Sequence, residues 1–269
     1  MKKKLIIFLL IILVLLTITL LFNKWFIAHK IKVVEYAVVD KKLHENFHGL
    51  KVVQYSDILY GRSTTIKDLN KLVKKINELK PDVVIFTGDL FFKDIKIKDK
   101  EIINIKKTLS KINCKYEKYA VIGDNDKKYK DSFYQVFQDD YNILDNESSY
   151  LYINSDTPIR ITGINDSKKE EAFADDDSLF NILITHKPDN ITALKNNYNI
   201  AFAGHSMGGQ IKLPFFGPLI RLKGAKTYVS GFYEYKNTKL YVNDGIGSQN
   251  ISMRLNNHPK INLYRIYNK

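Results

Sequence analysis

The chain has 269 residues, 45% of them hydrophobic and 26% charged, enough for one large domain or two small ones. Its formal charge of +13 comes from lysines spread along the whole sequence, with no Arg-rich or aromatic-interleaved patch, which argues against a nucleic-acid-binding protein. The lone cysteine, Cys114, excludes an internal disulfide and dithiol redox chemistry.

After Lys2-Lys3-Lys4, the segment from Leu5 to Phe22 is apolar except for Thr17 and Thr19. As a helix it would span about 27 Å at ~1.5 Å per residue, enough to cross a bilayer. No small-x-small cleavage site follows; the next residues are Asn23-Lys24-Trp25-Phe26, which suit an interfacial belt. This predicts one uncleaved transmembrane helix within residues 1–30, the lysine end inside the cell, and a single domain over 31–269 held outside the cell membrane.

Residues 31–39 and 50–55 read as strands, the second stopping at Ser56-Asp57. From Ile66 to Leu79 apolar residues recur at helical spacing with lysines opposite, and Pro81 ends the run. Val83 to Phe86 is a buried strand running into Thr87-Gly88-Asp89. A strand-helix-strand unit of this kind delivers Asp57 and Asp89 to the same end of a parallel sheet. A second helix over about 100–112 leads to a strand at 119–122 that ends in Gly123-Asp124-Asn125-Asp126. A short helix at 131–138 and a hairpin of 150–153 with 159–163 follow. Asn181 to Thr185 ends at His186, and Ile200 to Ala203 ends at Gly204-His205. The segments 227–233, 240–243 and 261–267 read as strands of an antiparallel second sheet.

Five strand ends thus converge on Asp57, Asp89, Asp124, His186 and His205. One Asp alone caps turns, and one His alone is more often structural. Five at successive strand ends supply the carboxylate and imidazole lone pairs that suit a divalent ion of the Mn, Fe or Zn type. No P-loop or dinucleotide fingerprint competes with this reading.

The motifs Ser56-Asp57-Ile58-Leu59-Tyr60-Gly61, Gly88-Asp89, Gly123-Asp124-Asn125-Asp126, His186 and Gly204-His205-Ser206-Met207-Gly208-Gly209-Gln210, in that order, resemble the calcineurin-like metallophosphoesterases, nearest their membrane-associated bacterial phosphodiesterase branch. The resemblance covers residue 45 to the C-terminus. It implies an α/β fold, an αββα four-layer sandwich, with two ions and a water-derived nucleophile that attacks phosphorus in line. It makes Asp89 the carboxylate shared by both ions. One ion would take Asp57 and two histidines, where this chain has Leu59 and Met207. The other would take Asp124, His186 and His205, and the family's catalytic His is replaced by Asn125.

A Leu has no lone pair and a thioether is a weak ligand for hard ions, so the resemblance implies one bound divalent ion and a second site that is weak or empty. Asn125 cannot carry a proton to a leaving group, a loss of about 10²- to 10⁴-fold where general acid help matters. Gly208 and Gly209 are expected to let the backbone approach the ion, and Lys212 and Arg221 to meet a phosphate or a lipid head group. Two functions stay open at this point: a membrane-anchored phosphoesterase with impaired turnover, or an inactive relative that binds an anion or a partner at the membrane.

Overall fold

The computed structural model describes residues 2–22, 30–165, 177–213, 215–249 and 253–269. In chain order it contains α1 (Lys2–Phe22), β1 (Lys32–Asp40), β2 (Leu50–Tyr55), α2 (Ile66–Glu78), β3 (Val83–Phe86), α3 (Asp99–Leu109), β4 (Lys118–Ala120) and α4 (Lys130–Phe137). There follow β5 (Asn142–Ile143), β6 (Glu147–Leu151), β7 (Ile159–Ile164), β8 (Phe180–Thr185), β9 (Ile200–Ala203), β10 (Lys212–Leu213), β11 (Gly217–Pro218), β12 (Gly231–Tyr235), β13 (Thr238–Val242) and β14 (Lys260–Asn268).

The strands form two six-stranded sheets, ordered β1-β14-β2-β3-β4-β5 and β12-β13-β9-β8-β7-β6, with β10 and β11 as a separate hairpin. Alternation along the strands decides what each face meets. Val53, Tyr55, Val84 and Phe86 point to a core shared with α2, α3 and α4. Their neighbours Val52, Val83 and Ile85 point the other way, against Ile161, Ile182, Ile184 and Phe202 of the second sheet. The two sheets are therefore stacked, with the helices on the outer face of the first. Helix α2 buries Leu69, Leu72, Val73 and Ile76 along one stripe, and its start is fixed by Thr65, whose N–H donates to Asp68 at 3.2 Å.

Three expectations need correction. Residues 261–267 do not join the second sheet: β14 lies in the first, parallel to β1 and antiparallel to β2. Nor is the second sheet antiparallel, because β7, β8, β9 and β13 run parallel and only its edge pairs, β6 with β7 and β12 with β13, are antiparallel. Residues 227–230 are a loop instead of a strand. The Asp189 carboxylate accepts the N–H groups of Lys226, Thr227 and Tyr228, and the Tyr233 hydroxyl accepts those of Val229 and Ser230. Those donors are satisfied without a neighbouring strand.

Among the described residues, the outer face of the second sheet is covered by a 3₁₀ segment, Pro188–Ala193, with Leu194 and Tyr198, and not by an α-helix. The N-terminal stretch does form one helix, α1. Its side chains at 2, 12, 15, 16 and 18–22 lie outside the description, and among the described residues no helix is long and apolar enough to cross a membrane. The interfacial belt expected at Trp25 and Phe26 also lies outside the described residues.

Candidate metal centre

The turns that follow β2, β3, β8 and β9 meet at one end of the stacked sheets, since all four strands point the same way within their sheets. The contacts between these turns leave little room. A Cβ on Gly204 would overlap Ser56 Oγ and come within 2.8 Å of Asp57 Oδ2, and one on Gly88 would come within 2.8 Å of His186 Nδ1. Beneath the turns, Gln54 ties the sheets together: its amide donates to the Ala203 carbonyl at 2.9 Å, and its carbonyl accepts from Tyr264 at 2.6 Å.

Asp89, His186 and His205 are buried, and one ligand atom from each lies within 4.8 Å of the others. The outer nitrogen of each imidazole is committed. His186 Nδ1 donates to the Thr87 carbonyl at 2.7 Å, and His205 Nε2 donates to the Lys223 carbonyl at 2.9 Å. Their inner nitrogens, His186 Nε2 and His205 Nδ1, therefore face each other at 3.1 Å, with Asp89 Oδ1 3.4 Å from the former. Backbone carbonyls that fix the far side of a histidine set its tautomer and aim the near lone pair at an ion.

Charge at the centre follows from this packing. Burial works against protonation of His186, yet Asp89 and then Asp57 raise it to about 10. Burial, reinforced by the neighbouring His186, pushes His205 down to about 4. Near neutral pH these opposite shifts leave His186 protonated and His205 neutral. Burial pushes the Asp57 carboxyl up to about 6, with Asp89 adding to it against His186, Ser56 and the His205 N–H.

Asp57 flanks the cluster. Its Oδ2 accepts from Ser56 Oγ at 2.5 Å and from the His205 N–H at 2.9 Å, while its Oδ1 is buried with no hydrogen-bond partner among the described residues. An orphaned carboxylate oxygen beside two imidazoles and a second carboxylate fits a divalent ion. Asp124 stands apart, half-buried and paired with Lys187 at 2.6 Å and Lys127 at 3.0 Å. Burial opposes its ionisation, but the lysines and His186 hold it well below the usual carboxylate range.

The other expected positions are as follows. Leu59 and Met207 are buried and offer no hard donor. Asn125 gives its backbone N–H to Asp89 Oδ1 at 2.9 Å and its side-chain amide to Asp89 Oδ2 at 2.7 Å, so it positions that carboxylate. Lys212 is drawn to Asp244 and Ser230, and Arg221 to the Lys226 carbonyl. Gly208 lies against the Asp244 carboxylate and Gly209 against Pro218, so close packing of protein by itself requires glycine there.

Three supporting residues are not among the expected ligands, although Asp126 lies in the Gly123-Asp124-Asn125-Asp126 motif. The buried Asp126 carboxylate accepts the N–H groups of Asp89 at 2.8 Å, Gly123 at 3.0 Å and Phe91 at 3.1 Å. Asp244 sits under the glycine loop between Lys212 and Lys260. Arg254, fully buried, donates to the carbonyls of Gly247 and Asp244.

A family model described as calcineurin-like phosphoesterase matches residues 50–209, the span that carries every one of the converging ligands. The chain belongs to that family. Among its members, the uncharacterized metallophosphoesterase YkuE of Bacillus subtilis is 30% identical over 88% of this chain and 86% of its own. The UDP-2,3-diacylglucosamine pyrophosphatase LpxG of Chlamydia muridarum is 27% identical over 77% of this chain and 80% of its own. The phosphodiesterase YaeI of Escherichia coli is 20% identical over 82% and 84%. Among solved structures, the calcineurin-like phosphoesterase YfkN from Bacillus subtilis superimposes with a TM-score of 0.43 at 11% identity, over 73% of this chain and 81% of that one. Membership in this divalent-metal family accounts for a cluster of two imidazoles and a carboxylate at the sheet ends.

Proposed function

We propose that the protein is a membrane-tethered phosphoester hydrolase working from one well-formed metal site. The observation that carries this is the facing of His186 Nε2, His205 Nδ1 and Asp89 Oδ1, with both outer imidazole nitrogens spent on carbonyls. Asp89, His186 and His205 would hold the ion, with Asp57 flanking them and Asp124 at the rim. A divalent ion there supplies Lewis acidity toward a phosphoryl oxygen and toward water. Around it, Asn125 holds the Asp89 carboxylate, Asp126 holds the Asp89 backbone, and Lys187 offsets the charge of Asp124.

Leu59 and Met207 make the two-ion arrangement of the resemblance a poor fit to this chain, and no step is assigned to a second ion. Nor does a side chain at Asn125 protonate a leaving group, so turnover should depend steeply on leaving-group acidity. The names of LpxG and YaeI support phosphoanhydrides and phosphodiesters as the substrate class, with a nucleotide-linked diacylated sugar among them. The apolar run from Leu5 to Phe22 supports a tether in the cell membrane, the domain outside.

The test is metal analysis of the purified chain, paired with hydrolysis of an aryl phosphodiester in Mn²⁺. One ion per chain is expected, with turnover abolished by His205→Ala. An ion without turnover in any divalent metal would favour the inactive relative, a reading that the commitment of Asn125 to Asp89 supports.

A further inference from the structure

Among the described residues of the domain, large exposed apolar side chains are mostly scattered singly, as at Val39, Ile103 and Phe232, or form the small tyrosine pair Tyr150 and Tyr152. One group is not. Phe215, Phe216 and Leu219 fall within five residues at the tip and return arm of the β10–β11 hairpin, and the two phenylalanines are almost wholly exposed. A clustered aromatic tip of this kind marks a contact surface. The exposed cations Arg221, Lys223 and Lys226 follow on the same return arm.

The hairpin is fastened to the metal centre and to the entry of the domain. On one side, the arm beyond it supplies the Lys223 carbonyl that orients His205. On the other, its base is bonded to the segment before β14: the Lys212 N–H donates to Leu255 at 2.9 Å and Asn256 donates to the Lys212 carbonyl at 3.1 Å. Four residues further along that segment, the Pro259 carbonyl accepts the N–H of Lys32, where the chain coming from α1 enters β1. Leu255 to Pro259 is at most about 14 Å of extended backbone. Strand register agrees, since Lys32 pairs with Lys260 while Asn262 pairs with Gln54, two residues before Ser56. Aromatic tip, domain entry and metal centre share one rim.

We propose that this rim is the membrane-facing surface: Phe215, Phe216 and Leu219 insert into the interfacial layer of the bilayer, with Arg221, Lys223 and Lys226 against anionic head groups, so that the metal centre opens at head-group depth. This deepens the proposed function by naming a phosphoester at the membrane surface as substrate, and it rests on that reading's N-terminal tether. An aromatic pair with cations behind it suits an interface with an apolar interior and an anionic face. Seven residues lie between Phe22 and Lys30, eight Cα steps with a reach of at most about 28 Å, so a tethered domain keeps this rim close to the lipid.

The full-length chain, reconstituted in vesicles of phosphatidylcholine and phosphatidylglycerol, tests this through fluorescence. Trp25 is the sole tryptophan. In a Trp25→Phe background, Phe216→Trp is expected to emit at shorter wavelength and to lose at least half of its intensity to lipids brominated on the acyl chain. Tyr152→Trp, at the opposite end of the strands next to the Leu151–Ile159 pair, should show neither effect. Equal spectra and equal quenching at the two positions would overturn the proposal. So would a blue shift of Phe216→Trp that grows with protein concentration in the absence of lipid, the mark of a second copy on the hairpin. Alkaline extraction of the same vesicles tests the tether separately: a chain released by carbonate yet quenched at position 216 refutes the anchor and supports the hairpin, and a retained chain that is not quenched does the reverse. Phe215→Ser with Phe216→Ser, exposed substitutions that leave the core intact, should keep one ion per chain.

Discussion

Replacing Asp126 by Ala tests whether the metal centre is held from behind. The carboxylate accepts three backbone N–H groups, and all three would lose their partner in a fully buried site. Each orphaned buried donor costs about 1–3 kcal/mol, part of it recovered as the carboxylate's own burial beside Asp89 is relieved, so a net loss of about 3–5 kcal/mol is expected. Set against a total of roughly 5–15 kcal/mol for a domain, that is a large share. With a urea slope of about 2–3 kcal/mol per molar, the unfolding midpoint should fall by roughly 1–2 M, measured by near-ultraviolet circular dichroism in detergent. Because the Asp89 N–H is one of the three donors, ion affinity by calorimetry should weaken about 10- to 100-fold as well. Asp126→Asn keeps one acceptor oxygen, which can serve two of the donors, and should lie between wild type and Ala. An Ala variant with unchanged midpoint and unchanged affinity would refute the reasoning.

Other outcomes follow from the same geometry. His186 is raised to about 10 and His205 lowered to about 4, so at pH 7 the pair holds one proton that an ion must displace. Calorimetry in buffers of different ionisation enthalpy should register about one proton released per ion, with affinity rising as pH rises; no release would mean that the imidazoles are not the ligands. Leu59→His with Met207→His should move the metal stoichiometry from one toward two, and a ratio that stays at one would show that these positions do not face an ion. Gly204→Ala would drive a methyl group into Ser56 and Asp57 and should destabilise by at least about 1–3 kcal/mol, read from the same urea curves. Lys187→Met removes the nearest cation from Asp124, and the Asp124 pKa followed by NMR should rise; an unmoved value would show that the pair is of no consequence.

What could be read from the sequence divides along physical lines. Local periodicity and breakers located α2, α3, α4 and most strands, because burial stripes and turn residues are encoded within a dozen neighbours. Strand ends carrying Asp and His pointed to Asp89, His186 and His205, which the fold brings together. Residues 261–267 were equally good as a strand of either sheet, since an apolar run specifies burial and not its neighbours. The dependence of Asp124 on Lys187, and the seating of Asp244 and Arg254 beneath the glycine loop, join residues tens of positions apart through three-dimensional packing alone. The motif marks Asp126 but not its task, because its partners are backbone N–H groups, which leave no trace in residue identity.

The turns around the centre hold six non-glycine residues at left-handed backbone angles: Asp57, Leu59, Asp89, His205, Met207 and Gln210, with φ between 50° and 66°. Leu and Met enter that region reluctantly, whereas His and Asn do so more readily. At positions 59 and 207 the backbone therefore has a shape better suited to an imidazole than to the side chain present. Regaining two nitrogen donors would require no loop to be rebuilt and would ease torsional strain at both positions. A histidine at either position would sit on a backbone already shaped for it, with the surrounding turns left as they stand.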